Sequence, residues 1–142
     1  MFSKQNLLAT VAATVTMFLM GYLIWGLGMA AFFESHTLVD VMKPDEEMNM
    51  AFIFLGNLSA AFAMATLYRK WAGSDHRFGQ GFTFGAWIGV IIGIGMGLVW
   101  LGTSNFMDTT GHVAEAVIDI LYYGLVGGVI AMVYRATGSG GS

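Results

Sequence analysis

Residues 81–107 read GFTFGAWIGVIIGIGMGLVWLGTSNFM, a run of 27 residues without a charged side chain. A helix of roughly 20 apolar residues is long enough to cross the ~30 Å hydrocarbon core of a bilayer. A helix on the surface of a soluble protein needs a polar face, and this run has none. The stretch therefore predicts a transmembrane helix and argues against a soluble helical bundle.

Three other segments of the chain have the same character. Residues 7–33 and 48–68 carry no charge, and residues 113–134 are apolar apart from Glu115 and Asp119. Each of these segments is also long enough to cross a bilayer. The sequence therefore predicts an all-α protein, a four-helix transmembrane bundle.

The segments between these helices are about a dozen residues long and leave no room for a soluble domain. We therefore expect residues 1–137 to form a single integral membrane domain, followed by a flexible Gly/Ser tail at residues 138–142 (GSGGS). The absence of cysteine excludes disulfides and thiolate metal sites.

The charged residues are divided unequally between the two sides of the predicted bundle. Five of the six basic residues lie on the side of the chain termini, and eight of the nine acids lie on the other. Basic residues near span ends mark the cytoplasmic side of a membrane. The chain is therefore predicted to lie in the lipid bilayer of the cell (inner) membrane with both termini in the cytoplasm. The five basic residues are Lys4, Arg69, Lys70, Arg77 and Arg135.

The two halves of the sequence resemble each other at their helix ends. Residues 27–34 (LGMAAFFE) and 101–108 (LGTSNFMD) share a Leu-Gly pair, a phenylalanine and an acid in one register. Residues 65–69 (ATLYR) and 131–135 (AMVYR) share a Tyr-Arg end. Such residues are also common at membrane boundaries in unrelated proteins. The pattern favours two tandem helical hairpins related by a parallel internal repeat.

Glycine recurs at every fourth position of the third helix. Small residues at this spacing let a second backbone approach closely. The stripe predicts close packing, either within the chain, on the faces that carry Gly56 and Gly124, or between protomers of a small oligomer. The packing glycines are Gly81, Gly85, Gly89, Gly93 and Gly97.

The fourth helix carries the clearest chemical signal. Glu115, Asp119 and Tyr122 share one helix face, and Asp119 lies roughly 9 Å below the predicted start of the helix. An ionised residue at that depth is costly and normally faces a bundle interior or a wet cavity. These residues predict a proton or cation site. Glu34 and Asp108, expected opposite each other at the outer surface, would add negative charge to it.

A divalent metal ion is an alternative occupant of this region. His112 and Glu115 lie one helical turn apart, and Glu34 and His36 near the end of the first helix provide two further ligands. Carboxylate and imidazole groups suit Zn, Mn or Fe better than Ca. The other interpretations are a structural or protonatable polar cluster and a contact surface for a partner protein.

Three functions remain open from the sequence alone. The first is a proton or cation transport or channel-like protein, oligomeric because four helices leave little space for a wide pore. The second is a non-catalytic accessory subunit that docks on a basic partner membrane subunit through the acidic loop at residues 34–47. The third is a membrane metalloprotein, possibly an enzyme. No catalytic motif favours an enzyme, and nothing supports binding of nucleic acid.

Overall fold

The computed structural model describes residues 2–138, and the regular secondary structure of these residues is helical. They contain four helices long and apolar enough to cross a membrane, at positions within a few residues of those predicted. This confirms the predicted all-α four-helix bundle, and the chain is a multi-pass membrane protein. The helices are span 1, Lys4–Gly28; span 2, Met50–Trp71; span 3, Phe78–Thr103; and span 4, Thr109–Gly138. Apart from Gly138, the predicted tail lies outside the described residues.

Span 1 is not a continuous α-helix. It begins as α1 (Lys4–Gly21) and continues as a π-helical segment, Tyr22–Gly28. Met29 then breaks the helix, and a separate short helix, α2 (Ala30–His36), follows. The helix predicted at residues 7–33 is therefore interrupted. The π-helical segment contains two glycines, which weaken a regular α-helix because glycine loses more conformational freedom on folding than other residues.

Span 3 also contains a π-helical segment, but it has no break after that segment. Spans 2 and 4 are single α-helices, α3 and α6. In span 3, α4 (Phe78–Gly89) leads into a second π-helical segment, Val90–Met96, and then into α5 (Gly97–Thr103). Short π-helical insertions in α-helices occur frequently at functional sites. In both spans that contain a π-helical segment, this segment lies away from the chain termini, in the half of the bundle that carries the acids.

Polar caps fix where three of the helices begin. Ser3 accepts a hydrogen bond from the first turn of α1, and Asn49 accepts two from the first turn of α3. Asp108 caps α6 in the same way, at 2.8 Å from the backbone nitrogen of Gly111. Such side chains satisfy N–H groups that have no partner inside the helix.

Spans 1 and 4 form the centre of the bundle. Span 1 packs on spans 2 and 4, and span 3 packs mainly on span 4. Spans 2 and 3 make only a slight contact, which includes the rings of Tyr68 and Phe84, 5.5 Å apart. A two-fold repeat would require spans 2 and 3 to pack as spans 1 and 4 do, so the two hairpins are not packed equivalently. Gly56, one predicted partner of the glycine stripe, has open space where a Cβ would lie.

The most closely packed part of the bundle is the basic end, defined as the end that carries the chain termini and the Arg69–Arg77 loop. Ala13, Tyr68, Val126 and Ile130 are fully buried there. At the opposite end, called the acidic end, the first turns of span 2 are exposed on all sides. The bundle is therefore tight at one end and open at the other.

A buried polar network connects three spans at the basic end. The hydroxyl of Tyr134 donates to Oδ1 of Asn6 at 2.8 Å, and Nδ2 of Asn6 donates to Oγ1 of Thr66 at 3.1 Å. Polar groups in an apolar interior need partners because their desolvation is costly. This network holds spans 1, 2 and 4 together.

Candidate functional site

The glycine stripe of span 3 lies against the backbone of span 4. A Cβ atom added at Gly85 would meet the backbone of Tyr123, and one added at Gly93 would lie 2.7 Å from Cα of Ala116. No side chain fits between the two helices at these positions. The glycines packed in this way are Gly81, Gly85, Gly89 and Gly93.

Beyond Gly93 the two helices diverge, and a pocket of about 670 Å³ opens toward the acidic end. Gly97, the last glycine of the predicted stripe, lines this pocket and has nothing within 4 Å of its Cβ position. Pockets of roughly 300–1,000 Å³ typically hold small molecules. The wall is mostly apolar and includes Ile92, Met96, Trp100, Phe106 and Met107.

Three titratable side chains of span 4 line this pocket, His112, Glu115 and Asp119, and Asp119 lies deepest. His112 is 8% exposed and Asp119 is 6% exposed, whereas Glu115 is partly buried. None of the described residues that line the pocket is a lysine or arginine. The pocket therefore combines apolar walls with carboxylates that have no lysine or arginine among the described lining residues.

The three polar side chains differ in their hydrogen bonds. Nε1 of Trp25 donates to Oε2 of Glu115 at 3.0 Å, across from span 1. Over residues 2–138, Nε2 of His112 is buried without a hydrogen-bond partner, and the carboxylate of Asp119 accepts no hydrogen bond. Buried polar groups are usually paired, so the carboxylate of Asp119, which lines the pocket, is available to a ligand.

Tyr122 lies about one turn below Asp119 on span 4, beneath the floor of the pocket. Its hydroxyl donates to the carbonyl oxygen of Met17 at 2.9 Å, and its ring packs edge-on against Trp25 at 5.0 Å. Met17 and Val126 are buried beside it in the core. Tyr122 therefore links spans 1 and 4 between the pocket and the core of the basic end.

The outer rim is formed where the segments that follow spans 1 and 3 meet. The backbone nitrogen of Leu38 donates to the carbonyl of Phe106 at 2.9 Å, and that of Asp108 donates to the carbonyl of His36 at 3.0 Å. Nδ1 of His36 also lies 2.7 Å from Oδ2 of Asp108. These contacts attach the acidic loop to the start of span 4.

Asp108 has two roles at this rim, as a helix cap and as the partner of His36. The hydrogen bond from the Gly111 backbone, followed by the one from His36, holds the pKa of Asp108 below its usual range. Val39 and Val41 continue from the rim and line the pocket. The rim is therefore part of the pocket wall.

The structure brings together only some of the residues predicted for the cation site. Glu115 and Asp119 line one pocket, and Tyr122 lies beneath it without lining it. Glu34 is exposed and lies outside the pocket, and Asp108 pairs with His36 at the rim.

The four residues predicted as metal ligands, His112, Glu115, Glu34 and His36, are not gathered into one site. Within the described part of the chain, no group of three or more histidines or acids is placed to hold a metal ion. His36 is directed to Asp108, and Glu115 accepts its hydrogen bond from Trp25. Two of the predicted ligands, His36 and Glu115, are therefore engaged with other partners.

Sequence reasoning missed Trp25 and the apolar wall of the pocket. Trp25 resembled an ordinary membrane-interface tryptophan, and its pairing with Glu115 joins residues far apart in the chain. No signal in the sequence marked this pairing. Met96 and Trp100 gave no signal because apolar residues are expected throughout a transmembrane helix.

Comparison of the chain with known protein families, with curated proteins and with solved structures gave no match. The site is therefore interpreted from its own geometry and chemistry.

Proposed function

We propose that this chain is a small cation or proton transport protein of the cell (inner) membrane, with its acidic end outside and both termini in the cytoplasm. The observation that carries this proposal is the pocket that opens toward the acidic end and reaches Glu115 and Asp119. The positive-inside rule supports the orientation, because the basic residues collect at the other end. In this orientation the pocket receives its cargo from outside.

The charge distribution supports a positively charged cargo. A carboxylate buried at membrane depth is stable only with a proton or a cation beside it. Around the rim, the exposed acids of the loop at residues 34–47 raise the local concentration of cations. The cargo thus passes from an acidic vestibule to Asp119, the most deeply placed acid of the chain.

Passage beyond Asp119 requires a movement of the helices. The bond from Tyr122 to Met17 connects spans 1 and 4 directly below the pocket. The π-helical segments of spans 1 and 3 border this region, since Trp25 and Gly93 belong to them. We propose that these segments change their helical register when the floor opens. Assembly of several copies would supply a pathway that one small bundle lacks.

Transport is tested with the purified protein in lipid vesicles. We expect proton or cation flux, driven by an imposed membrane potential, that Asp119→Asn abolishes and Asp45→Asn preserves. Asp45 is a suitable control because it undergoes the same change in the exposed loop, outside the pocket. Wild-type flux in Asp119→Asn, or no flux above empty vesicles, would refute the proposal.

An accessory role is the second candidate function, and a specific observation favours it. Within residues 2–138, the loop acids Asp40, Asp45, Glu46 and Glu47 are exposed and form no ion pair. Such a surface fits a basic partner subunit. This role predicts a larger complex that dissociates at high salt, whereas a homo-oligomer that is indifferent to salt would contradict it.

A further inference from the structure

We infer that the pocket of His112, Glu115 and Asp119 binds an amphipathic amine, with a protonated N–H head group at its floor and an apolar body along its wall. This inference rests on the proposed function, for which it names the class of cargo. It is carried by two features of one pocket: a buried carboxylate, Asp119, that accepts no hydrogen bond within residues 2–138, and a large apolar wall.

The wall of the pocket is suited to an apolar body. Met96 and Trp100 of span 3 are about half exposed, although they line the pocket. Large apolar side chains exposed on a membrane-spanning helix face lipid. The pocket therefore opens sideways toward the bilayer as well as upward toward the rim. A molecule that partitions into the membrane has direct access to it, whereas a hydrated ion does not benefit from such a wall.

The floor of the pocket is suited to a head group that carries both charge and N–H donors. The carboxylate of Asp119 accepts no hydrogen bond within residues 2–138, and a protonated amine satisfies its charge and its acceptor capacity together.

Other ligand classes fit the described residues less well. A divalent metal ion needs several ligands, and the described residues place no group of three or more histidines or acids for one. An anion would meet Glu115 and Asp119 without any lysine or arginine among the described lining residues. An uncharged apolar molecule would fill the wall and leave the buried carboxyl group of Asp119 without a hydrogen-bond partner.

The inference is tested by binding of two matched compounds to the purified protein in mild detergent, measured by titration calorimetry. 4-Phenylbutylamine is protonated at neutral pH, and 4-phenylbutan-1-ol has the same apolar body without the charge. We expect the amine to bind at least about tenfold more tightly than the alcohol, because hydrogen bonds to charged groups are the stronger ones. This comparison uses the unaltered protein and does not depend on any variant folding correctly.

Two variants and a third compound locate the head group. Asp119→Asn should remove the preference for the amine, and Asp45→Asn in the exposed loop should retain it. The quaternary (4-phenylbutyl)trimethylammonium ion has charge but no N–H, so it should bind several-fold more weakly than the amine.

The outcomes separate this inference from the proposed function. Equal binding of amine and alcohol, or a bound phospholipid that neither compound displaces, would overturn the inference even if ion flux persists. Selective amine binding without any flux would support the inference and refute transport. An unchanged preference in a folded Asp119→Asn protein would also overturn it.

Discussion

Replacement of Gly85 by alanine tests the structural basis of the bundle. Gly85 lies where spans 3 and 4 approach most closely, and a Cβ atom there would meet the carbonyl oxygen and carbon of Tyr123. These are backbone atoms of a helix, so they cannot rotate aside as a side chain can. The substitution therefore forces spans 3 and 4 apart.

The size of the effect follows from the required displacement. The added Cβ would lie 2.7 Å from the Tyr123 carbonyl carbon, whereas ordinary contacts begin near 3.4 Å. Overpacking of a fitted interface costs roughly 1–3 kcal/mol. The replacement of glycine by alanine within a helix stabilises the folded state by roughly 0.5–1 kcal/mol. We expect a net loss of about 1–2 kcal/mol in the free energy of unfolding.

The assay is reversible unfolding in mixed micelles, followed by helical circular dichroism. Gly97→Ala is the matched control, because Gly97 continues the stripe but has nothing within 4 Å of its Cβ position. This control should be as stable as the parent protein or slightly more stable. If Gly85→Ala and Gly97→Ala changed the free energy of unfolding by the same amount, whether up or down, the close approach of spans 3 and 4 would not be as described.

Two further predictions concern the polar network and the rim. Tyr134→Phe should lower the free energy of unfolding by about 1 kcal/mol, because it removes an interhelical hydrogen bond to Asn6. Tyr22→Phe, at an exposed tyrosine, should have no effect in the same unfolding assay. Equal losses of unfolding free energy in the two variants would contradict the stabilising role of the Tyr134 hydrogen bond. The folded-state pKa of Asp108 is lowered, so its carboxylate stabilises the fold above the unfolded pKa and loses this effect as the pH falls through the folded pKa. Between about pH 2 and pH 6, acid should therefore lower the thermal unfolding temperature of Asp108→Asn by less than that of the parent protein. Identical pH profiles would refute the stabilising role of the Asp108 carboxylate at the rim.

The architecture could be predicted from the sequence because membrane insertion imposes simple requirements on it. Four uncharged runs of sufficient length specify four helices. The glycine spacing in span 3 also predicted a close approach, and the observed partner is span 4. The position where this approach ends could not be predicted, because the same spacing continues through Gly97 without any change in residue type.

The candidate site was only partly predictable for a related reason. Spacing along one helix places Glu115 and Asp119 on a common face, since that depends on local geometry alone. The partners of these residues depend on how separate helices pack. Trp25 reaches Glu115 from span 1, and His36 is directed to Asp108 instead of a metal site. Contacts of this kind have no periodic signature in a single sequence.

Gly93 shows how the tight and open halves of the bundle depend on each other. It is the last glycine in contact with span 4 and also a lining residue of the pocket. A Cβ atom there would lie 2.9 Å from Cβ of Asp119, so the missing side chain leaves room for the deepest acid. Packing up to Gly93 fixes the height at which the helices separate, and this height determines that Asp119 lies at the inner end of the pocket. The glycine stripe therefore positions the site as well as stabilising the fold.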